Sequence, residues 1–206
     1  IFIQNYKKFN LTGVSAILSA SPYYNKPSQE GIYQHYKYLA TNMSHPIILY
    51  NVPGRTASNM TAETTVRIAK EFDNIVAIKE ASGDMGQVMH IINNKPADFL
   101  VISGDDALTL PMISCGAHGL ISVIANAYPD TTKNLVANSL KGDFETARKS
   151  HYQLLDLIDG IFADGNPGGV KYILDQMDIM KNELRLPLVP INSEVENTLK
   201  NLTKKK

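Results

Sequence analysis

The chain has 206 residues, with 20 basic and 20 acidic side chains, a formal net charge of zero and 44% hydrophobic residues. This composition is typical of a globular protein and provides no basic excess of the kind that nucleic-acid binding requires. The single cysteine, Cys115, excludes an intrachain disulfide and favours a reducing compartment, most simply the cytoplasm. No stretch approaches the roughly 18 to 20 uninterrupted apolar residues of a membrane-spanning helix, so no membrane association is predicted.

The first residue is Ile1 rather than methionine, and residues 1–11 have the pattern of the last part of a helix. We therefore expect an N-terminal segment to precede this sequence. A targeting peptide could lie in that segment, so its absence here carries little weight.

Short runs rich in valine, isoleucine and leucine recur along the first part of the chain. They do not alternate strictly with polar residues, which is typical of strands buried on both faces. These runs are residues 13–19, 46–50, 75–78, 99–103 and 119–124. Segments with helical periodicity lie between them, at residues 28–43, 61–72, 85–93 and 107–115. The repeated strand and helix unit predicts parallel strands joined by right-handed crossovers, an α/β architecture.

Helices dominate the prediction after residue 126. They are expected at residues 129–140, 144–162, 167–177 and 193–202, with one short strand at 160–164. Tandem strand and helix units form either an open sheet or an eight-stranded barrel, and periodicity does not distinguish the two. The chain has no Gly-x-Gly-x-x-Gly or Walker-type loop, which favours the barrel.

Three parts are predicted on this basis. Residues 1–126 form the later strands of a partial (β/α)8 barrel, residues 127–165 its end and the following helices, and residues 166–206 a C-terminal helical region. Because about 250 residues is typical of a complete barrel, the early strands are expected in the preceding segment.

Ligands bind at the carboxyl ends of the strands in either architecture, and polar residues converge there. Lys79 ends the apolar run 75–78 and is the most informative of them. An ammonium group in a poorly solvated barrel mouth has a lowered pKa, which supplies the neutral amine needed to attack a carbonyl. The alternative is a protonated lysine paired with a carboxylate such as that of Glu80.

Other strand-end residues add acid–base and binding groups. Tyr50 ends a second strand, and its phenol either transfers protons to a neighbouring intermediate or is purely structural. Arg55 follows in a loop, where its planar guanidinium suits a carboxylate unless it is simply a solvated surface group. Tyr23 and Tyr24 lie in a turn-prone segment, where they fill a subunit interface as readily as a site.

No metal site is predicted. The five histidines are scattered without metal-ligand spacing. Asp105 and Asp106 are better explained as the cap of a helix that begins near Ala107. Cys115 ends an apolar helix without an evident base, so we expect a packed thiol rather than a nucleophile.

Five strand-end segments, taken together and in order, resemble the dihydrodipicolinate synthase family. They are residues 23–31 (YYNKPSQEG), 50–56 (YNVPGRT), 78–83 (IKEASG), 103–106 (SGDD) and 116–122 (GAHGLIS). The resemblance implies a (β/α)8 TIM barrel with a C-terminal helical extension, usually a homotetramer built as a dimer of dimers. It also implies a cofactor-free lyase that condenses pyruvate with aspartate 4-semialdehyde in lysine and diaminopimelate biosynthesis.

The resemblance also implies a role for each matching residue. Lys79 is the Schiff-base lysine that holds pyruvate, and Tyr50 is the proton donor and acceptor. Tyr24 is the tyrosine lent across the tight dimer to the proton relay of the neighbouring subunit. Arg55 receives the carboxylate of the semialdehyde at the site entrance, and the backbone of Ile121 contacts bound pyruvate.

Departures from the family pattern and rival functions limit this interpretation. The early strands, and with them the family's paired threonines and most of the residues that bind feedback lysine, are absent from the sequence. N-acetylneuraminate lyase and 2-keto-3-deoxy sugar acid aldolases share the lysine and the tyrosine, but they generally lack an arginine at the position of Arg55. A non-catalytic barrel relative would be expected to lose Lys79 or Tyr50, and metal-dependent hydrolysis would need histidines and aspartates at several strand ends.

Overall fold

A computed structural model describes residues 2–204 of the chain. Short strands alternate with helices in the first half, and helices follow. The strands are β1 (Ile17–Ala20), β2 (Ile47–Asn51), β3 (Ile75–Glu80) and β4 (Leu100–Ser103). The helices are α1 (Phe2–Tyr6), α2 (Gln29–Asn42), α3 (Pro53–Thr56), α4 (Ala62–Glu71), α5 (Met85–Asn94), α6 (Thr109–Ser114), α7 (Pro129–Leu140), α8 (Phe144–Phe162), α9 (Gly168–Gln176) and α10 (Ser193–Lys204).

The four strands form one parallel sheet whose spatial order, β1-β2-β3-β4, is also the chain order. An open doubly wound sheet changes direction at a switch point, whereas a barrel adds each new strand beside the previous one. The observed order is therefore that of a barrel. Periodicity alone did not distinguish a barrel from an open sheet. Leu120 continues it through a parallel bridge to Ser103.

Side-chain caps mark the starts of α2 and α4. Ser28 caps α2 by accepting a hydrogen bond from the backbone N–H of Gly31, and Thr61 caps α4 through the N–H of Thr64. Each cap satisfies a backbone donor that would otherwise have no partner. The predicted bounds of α7 and α8 are confirmed at both ends. The helical part of the opening segment 1–11 is shorter than predicted and ends at Tyr6, and Ile1 lies outside the described residues.

Two predicted strands are wrong. Residues 119–124 contribute only the bridge at Leu120, because the backbone N–H groups of Val123 and Ile124 donate to the carboxylate of Asp106. That interaction turns the chain into a 3-10 helix at Ile124–Asn126 instead of extending the strand. Residues 160–162 of the second predicted strand are the last turn of α8.

The end of α8 is helical because it packs closely against another helix. A Cβ atom added to Gly160 would lie 2.6 Å from Leu199 Cδ2 in α10, so only glycine permits this approach. Leu154, Ile158 and Ile161 recur on one face of α8 and are buried. This spacing of three and four residues is that of a helix face rather than a strand.

The described residues divide into two compact units. The first comprises the chain up to Asp105 together with Cys115–Ile121, and it contains the sheet and α1 to α5. The second comprises Asp106–Ser114 and the chain from Ser122 onward, with an apolar core drawn from the 3-10 helix, α7, α8, α9 and α10. No helix within residues 2–204 combines the length and apolar character needed to cross a membrane.

Candidate active site

Lys79 and Tyr50 meet at the carboxyl ends of two neighbouring strands. The register of β2 and β3 pairs Tyr50 with Lys79, and Lys79 Nζ lies 4.4 Å from the centre of the Tyr50 ring. Both side chains are half-buried. The structure therefore brings an amine and a phenol together on one face of the sheet, as the sequence predicted for these strand ends.

Partial burial controls the protonation of the phenol. Removal from water raises the pKa of Tyr50 above its ordinary value of 10.0, while the positive charge of Arg55 acts in the opposite direction. The phenol is therefore protonated at neutral pH and able to donate its proton to an oxygen or nitrogen beside it.

Gly104, which follows β4, leaves room for the stem of Lys79. A Cβ atom at this position would lie 2.9 Å from Lys79 Cε, 3.0 Å from Lys79 Cγ and 2.8 Å from Ala81 Cβ. Real Cβ contacts essentially never fall below 3.0 Å. Any larger residue at 104 would push the lysine stem aside, so this glycine helps to define the direction of Lys79.

Arg55 lies in the short helix α3, directly after β2. Pro53 starts this helix, and Ala57 ends it in the left-handed region with φ of 55°. Thr56 is buried and donates a hydrogen bond of 2.8 Å to the carbonyl of Ser58. Arg55 itself is exposed, so its guanidinium is open to a ligand.

The two remaining predicted residues lie elsewhere. The N–H of Ile121 donates to the carbonyl of Ser103 at 2.9 Å, which places its backbone beside the end of β4. Tyr24 is 93% exposed and has a positive φ of 67°, so the chain itself covers almost none of this side chain. The structure thus places the backbone of Ile121 at the end of β4 in the first unit, and it does not pack Tyr24 against any core.

A cluster of polar side chains, which we term the Glu80 cluster, lies on the other face of the sheet. It consists of Asn51, Asn59, Glu80, Ser82 and Gln87. Glu80 is 1% exposed and Asn51 is 0% exposed. Successive residues of a strand point to opposite faces, so Glu80 faces away from the side of Lys79, and the alternative of a Lys79–Glu80 ion pair does not fit the strand geometry.

Sequence reasoning missed this cluster. Strand alternation at the pairs 50–51 and 79–80 was the available signal, because it places Asn51 and Glu80 together whenever Tyr50 and Lys79 are together. The contributions of Asn59 and Gln87 depend on loop and helix positions that periodicity does not give.

Asp106 is a further buried carboxylate, in the second unit. It is 4% exposed and accepts hydrogen bonds from the hydroxyl of Ser122 and from the N–H groups of Val123 and Ile124. These bonds fix the loop that begins one residue after Ile121. Among residues 2–204, no group of three His, Cys, Asp or Glu side chains is arranged to hold a metal ion.

Comparison with known proteins identifies relatives that match most of the chain. The sequence model of the "Dihydrodipicolinate synthetase family" matches residues 3–206. The 4-hydroxy-tetrahydrodipicolinate synthase of Parabacteroides distasonis is 56% identical over 188 residues, which are 91% of this chain and 63% of that protein. The enzyme of the same name from Phocaeicola vulgatus is 55% identical with the same coverage. The chain therefore spans less than two thirds of the length of these curated relatives.

Solved structures give the same relationship in three dimensions. Dihydrodipicolinate synthase from Aquifex aeolicus has a TM-score of 0.91 and 42% identity, and the match covers 94% of this chain and 66% of that one. A monomeric dihydrodipicolinate synthase variant has a TM-score of 0.95 and 39% identity, covering 98% of this chain and 69% of that one. These neighbours confirm the predicted fold class, α/β of the (β/α)8 barrel type with a C-terminal helical part.

Proposed function

This chain belongs to the dihydrodipicolinate synthetase family, and from that membership we propose that it acts, in the full-length protein, as a 4-hydroxy-tetrahydrodipicolinate synthase. The reaction condenses pyruvate with aspartate 4-semialdehyde through a Schiff base on Lys79, in lysine and diaminopimelate biosynthesis. The observation that carries the proposal is the 4.4 Å approach of Lys79 Nζ to the Tyr50 ring at the ends of two paired strands.

The chemistry begins with the lysine amine. Neutral Lys79 Nζ adds to the ketone carbon of pyruvate, and loss of water leaves a protonated imine. The imine withdraws electrons, so the methyl carbon loses a proton and becomes an enamine. Tyr50 is proposed to supply and receive the protons of these steps, which is supported by its raised pKa and by the 4.4 Å distance from its ring centre to Lys79 Nζ.

The second substrate completes the reaction. The enamine carbon forms a bond to the aldehyde carbon of the semialdehyde, and the aldehyde oxygen takes a proton. The amine of the same substrate then attacks the imine carbon, closes the ring and releases Lys79. Every electron pair comes from the lysine or the substrates, so the proposal requires no cofactor.

Arg55 supports the synthase over its superfamily rivals. Its exposed guanidinium follows directly from the strand that carries Tyr50, where it can bind the carboxylate of the incoming semialdehyde in a bidentate manner. N-acetylneuraminate lyase and the sugar acid aldolases remain the second candidate, because they use the same lysine and tyrosine. Ile121 is proposed to contact pyruvate through its backbone, beside the end of β4.

We propose a homotetramer, a dimer of dimers, located in the cytoplasm. The 93% exposure of Tyr24 supports a role for this residue across a subunit interface, because a large aromatic side chain left in water has no stabilising function within its own chain. One solved relative is a monomeric variant, so assembly varies among these proteins. The three-part division at residues 126 and 165 likewise stays a prediction.

The function is tested by substrate choice. The full-length protein is supplied with pyruvate and aspartate 4-semialdehyde, and separately with N-acetylneuraminate or a 2-keto-3-deoxy sugar acid. We expect consumption of the first pair and no release of pyruvate from the sugar acids. Release of pyruvate from a sugar acid, without consumption of the semialdehyde, would support the lyase.

Arg55→Leu sharpens this test. A lost charge-assisted hydrogen bond costs about 1.5–3 kcal/mol, which corresponds to an increase of about 10- to 150-fold in KM for the semialdehyde. The exposed Arg185 provides a matched control, and Arg185→Leu is expected to leave KM unchanged. Equal values of KM in both variants would remove Arg55 from the proposed site.

A further inference from the structure

The carboxylate of Glu80 is held only by hydrogen-bond donors among its described contacts. The N–H of Ser82 donates to Oε1 at 2.6 Å, and Gln87 Nε2 donates to Oε2 at 3.2 Å. Asn51 Nδ2 donates to both oxygens, at 3.3 and 3.1 Å. These three donors satisfy acceptor sites on both oxygens of the carboxylate and hold it in one orientation.

The Glu80 cluster joins the two strand ends that carry the reactive pair. Asn51 follows Tyr50 in β2 and Glu80 follows Lys79 in β3, and the register pairs Asn51 with Glu80 as it pairs Tyr50 with Lys79. The hydrogen bond between Asn51 and Glu80 therefore fixes, on one face of the sheet, the two backbone positions directly after those from which the phenol and the amine project on the other face. A shift of one strand end relative to the other breaks this bond and separates the pair.

The cluster also holds the loop that carries Arg55. The loop that follows β2 begins after Asn51. At its far end, the N–H of Met60 donates a hydrogen bond of 3.0 Å to Asn51 Oδ1. Asn59 accepts from Asn51 Nδ2 at 2.8 Å and donates to Gln87 Oε1 at 2.8 Å. Arg55 thus lies on a short loop with both ends anchored to Asn51.

We propose that Glu80 is a positioning residue, which sets the geometry of the Lys79–Tyr50 pair and of the Arg55 loop through Asn51 from the opposite face of the sheet. Reactive side chains work only when surrounding hydrogen bonds lock them near the productive geometry, and a misplacement of about 1 Å can lower a rate about 100-fold. The inference rests on the proposed function, since it assigns a role toward the residues of that site.

The test compares Glu80→Gln with wild type in the full-length protein. Gln keeps the size of the side chain but replaces one acceptor oxygen with a donor that faces Asn51, Ser82 or Gln87. We expect kcat to fall about 10- to 100-fold and KM for the semialdehyde to rise. Glu71→Gln is the control, because Glu71 accepts a hydrogen bond from Tyr33 away from the cluster, and it should keep wild-type kinetics.

A second measurement does not depend on the substrates. Reductive methylation of Lys79 with formaldehyde and sodium cyanoborohydride, quantified on its peptide across a range of pH, reports how readily this amine reacts in the folded protein. We expect Glu80→Gln to shift this pH profile and Glu71→Gln to leave it unchanged. A merely structural role would lower the folded fraction without moving the profile, and that result, or unchanged kinetics in folded Glu80→Gln, would overturn the proposal.

The outcomes separate the two proposals. If the wild type does not condense pyruvate with the semialdehyde, the proposed function fails, while the Lys79 profile still decides the positioning role. If Glu80→Gln does not fold, Gln87→Leu replaces it, because it removes one donor from Glu80 at a half-buried helix position. A shifted profile in Gln87→Leu would support the proposal, and a wild-type profile would overturn it.

Discussion

At the residue scale, the direction of the Lys79 side chain depends on the space that Gly104 leaves open beside it. Gly104 has no side chain, and the stem of Lys79 passes beside the position that a Cβ atom would take, with Cε 2.9 Å and Cγ 3.0 Å from it. The side-chain Cβ of Ala81 limits the same space from another side, because a Cβ at residue 104 would lie 2.8 Å from it. Small residues thus help to define the path of the Lys79 side chain.

We expect Gly104→Ala to lower kcat about 10- to 100-fold, because the added methyl group forces Lys79 into another rotamer. The measurement is steady-state kinetics, with circular dichroism to check the fold. Gly54→Ala is the control, since no atom lies within 4 Å of a Cβ at that position. Equal losses in both variants would show that the space beside Lys79 is not critical.

The positions of Lys79 and Tyr50 were predictable from the sequence because each residue ends the apolar run of its strand. Lys79 and Tyr50 could be placed side by side from the parallel arrangement alone. Their supporting residues could not, because Asn59 and Gln87 reach Glu80 from a loop and from α5, and their approach depends on the register of two strands. The direction of Lys79 past Gly104 is likewise a packing result with no local sequence signal.

At the element scale, β2 and β3 present Tyr50 and Lys79 on one face of the sheet and the Glu80 cluster on the other. Burial raises the pKa of Glu80 above the ordinary glutamate value of 4.5, while hydrogen bonds from Ser82, Asn51 and Gln87 act in the opposite direction. The folded protein therefore binds this proton more tightly than the unfolded chain does. The contribution of Glu80 to stability is fully present below pH 4.5 and is lost as the pH rises through the raised pKa.

The raised pKa of Glu80 predicts how stability depends on pH. The free energy of unfolding of the wild type should fall relative to that of Glu80→Gln as the pH rises from about 4 to about 8. Urea unfolding of both proteins at several pH values measures the difference, in which the titration of all other groups cancels. A difference that does not change with pH would contradict the raised pKa.

The elements themselves were predicted with uneven success, for physical reasons. The helices α7 and α8 were correct at both ends because proline and an aspartate cap mark their starts. The predicted strand at 119–124 was wrong because the long-range bonds of Asp106 turn the chain after Ile121. The predicted strand at 160–164 was wrong because Gly160 lies in the last turn of α8. There it allows close packing on α10, a long-range contact that the local sequence does not show.

At the scale of the whole molecule, the proposed assembly makes Tyr24 part of a neighbouring site. An exposed tyrosine with a positive φ has little to do within its own chain, and it is suited to insertion into a partner. If dimerisation is part of catalysis, two inactive variants should complement each other. Each would contribute the group that the other lacks.

We expect Tyr24→Phe and Lys79→Ala each to have low activity alone. After the two are unfolded together and refolded, random pairing makes half of the dimers mixed, and one of two sites in each is complete, so about a quarter of the wild-type activity should return. Mixing Tyr50→Phe with Lys79→Ala is the control, because both groups belong to the same chain's site, and it should restore nothing. Recovery in the control, or none in the test pair, would contradict the shared site.

The most direct test of the account is whether Lys79 forms an imine with pyruvate. The full-length protein is incubated with pyruvate and sodium borohydride, and its intact mass is measured beside Lys79→Ala and the exposed-lysine control Lys70→Ala. The account predicts one reduced pyruvate per chain, attached to the peptide that contains Lys79, present in Lys70→Ala and absent in Lys79→Ala. A folded wild-type protein without the adduct, or an adduct that persists in Lys79→Ala, would contradict it.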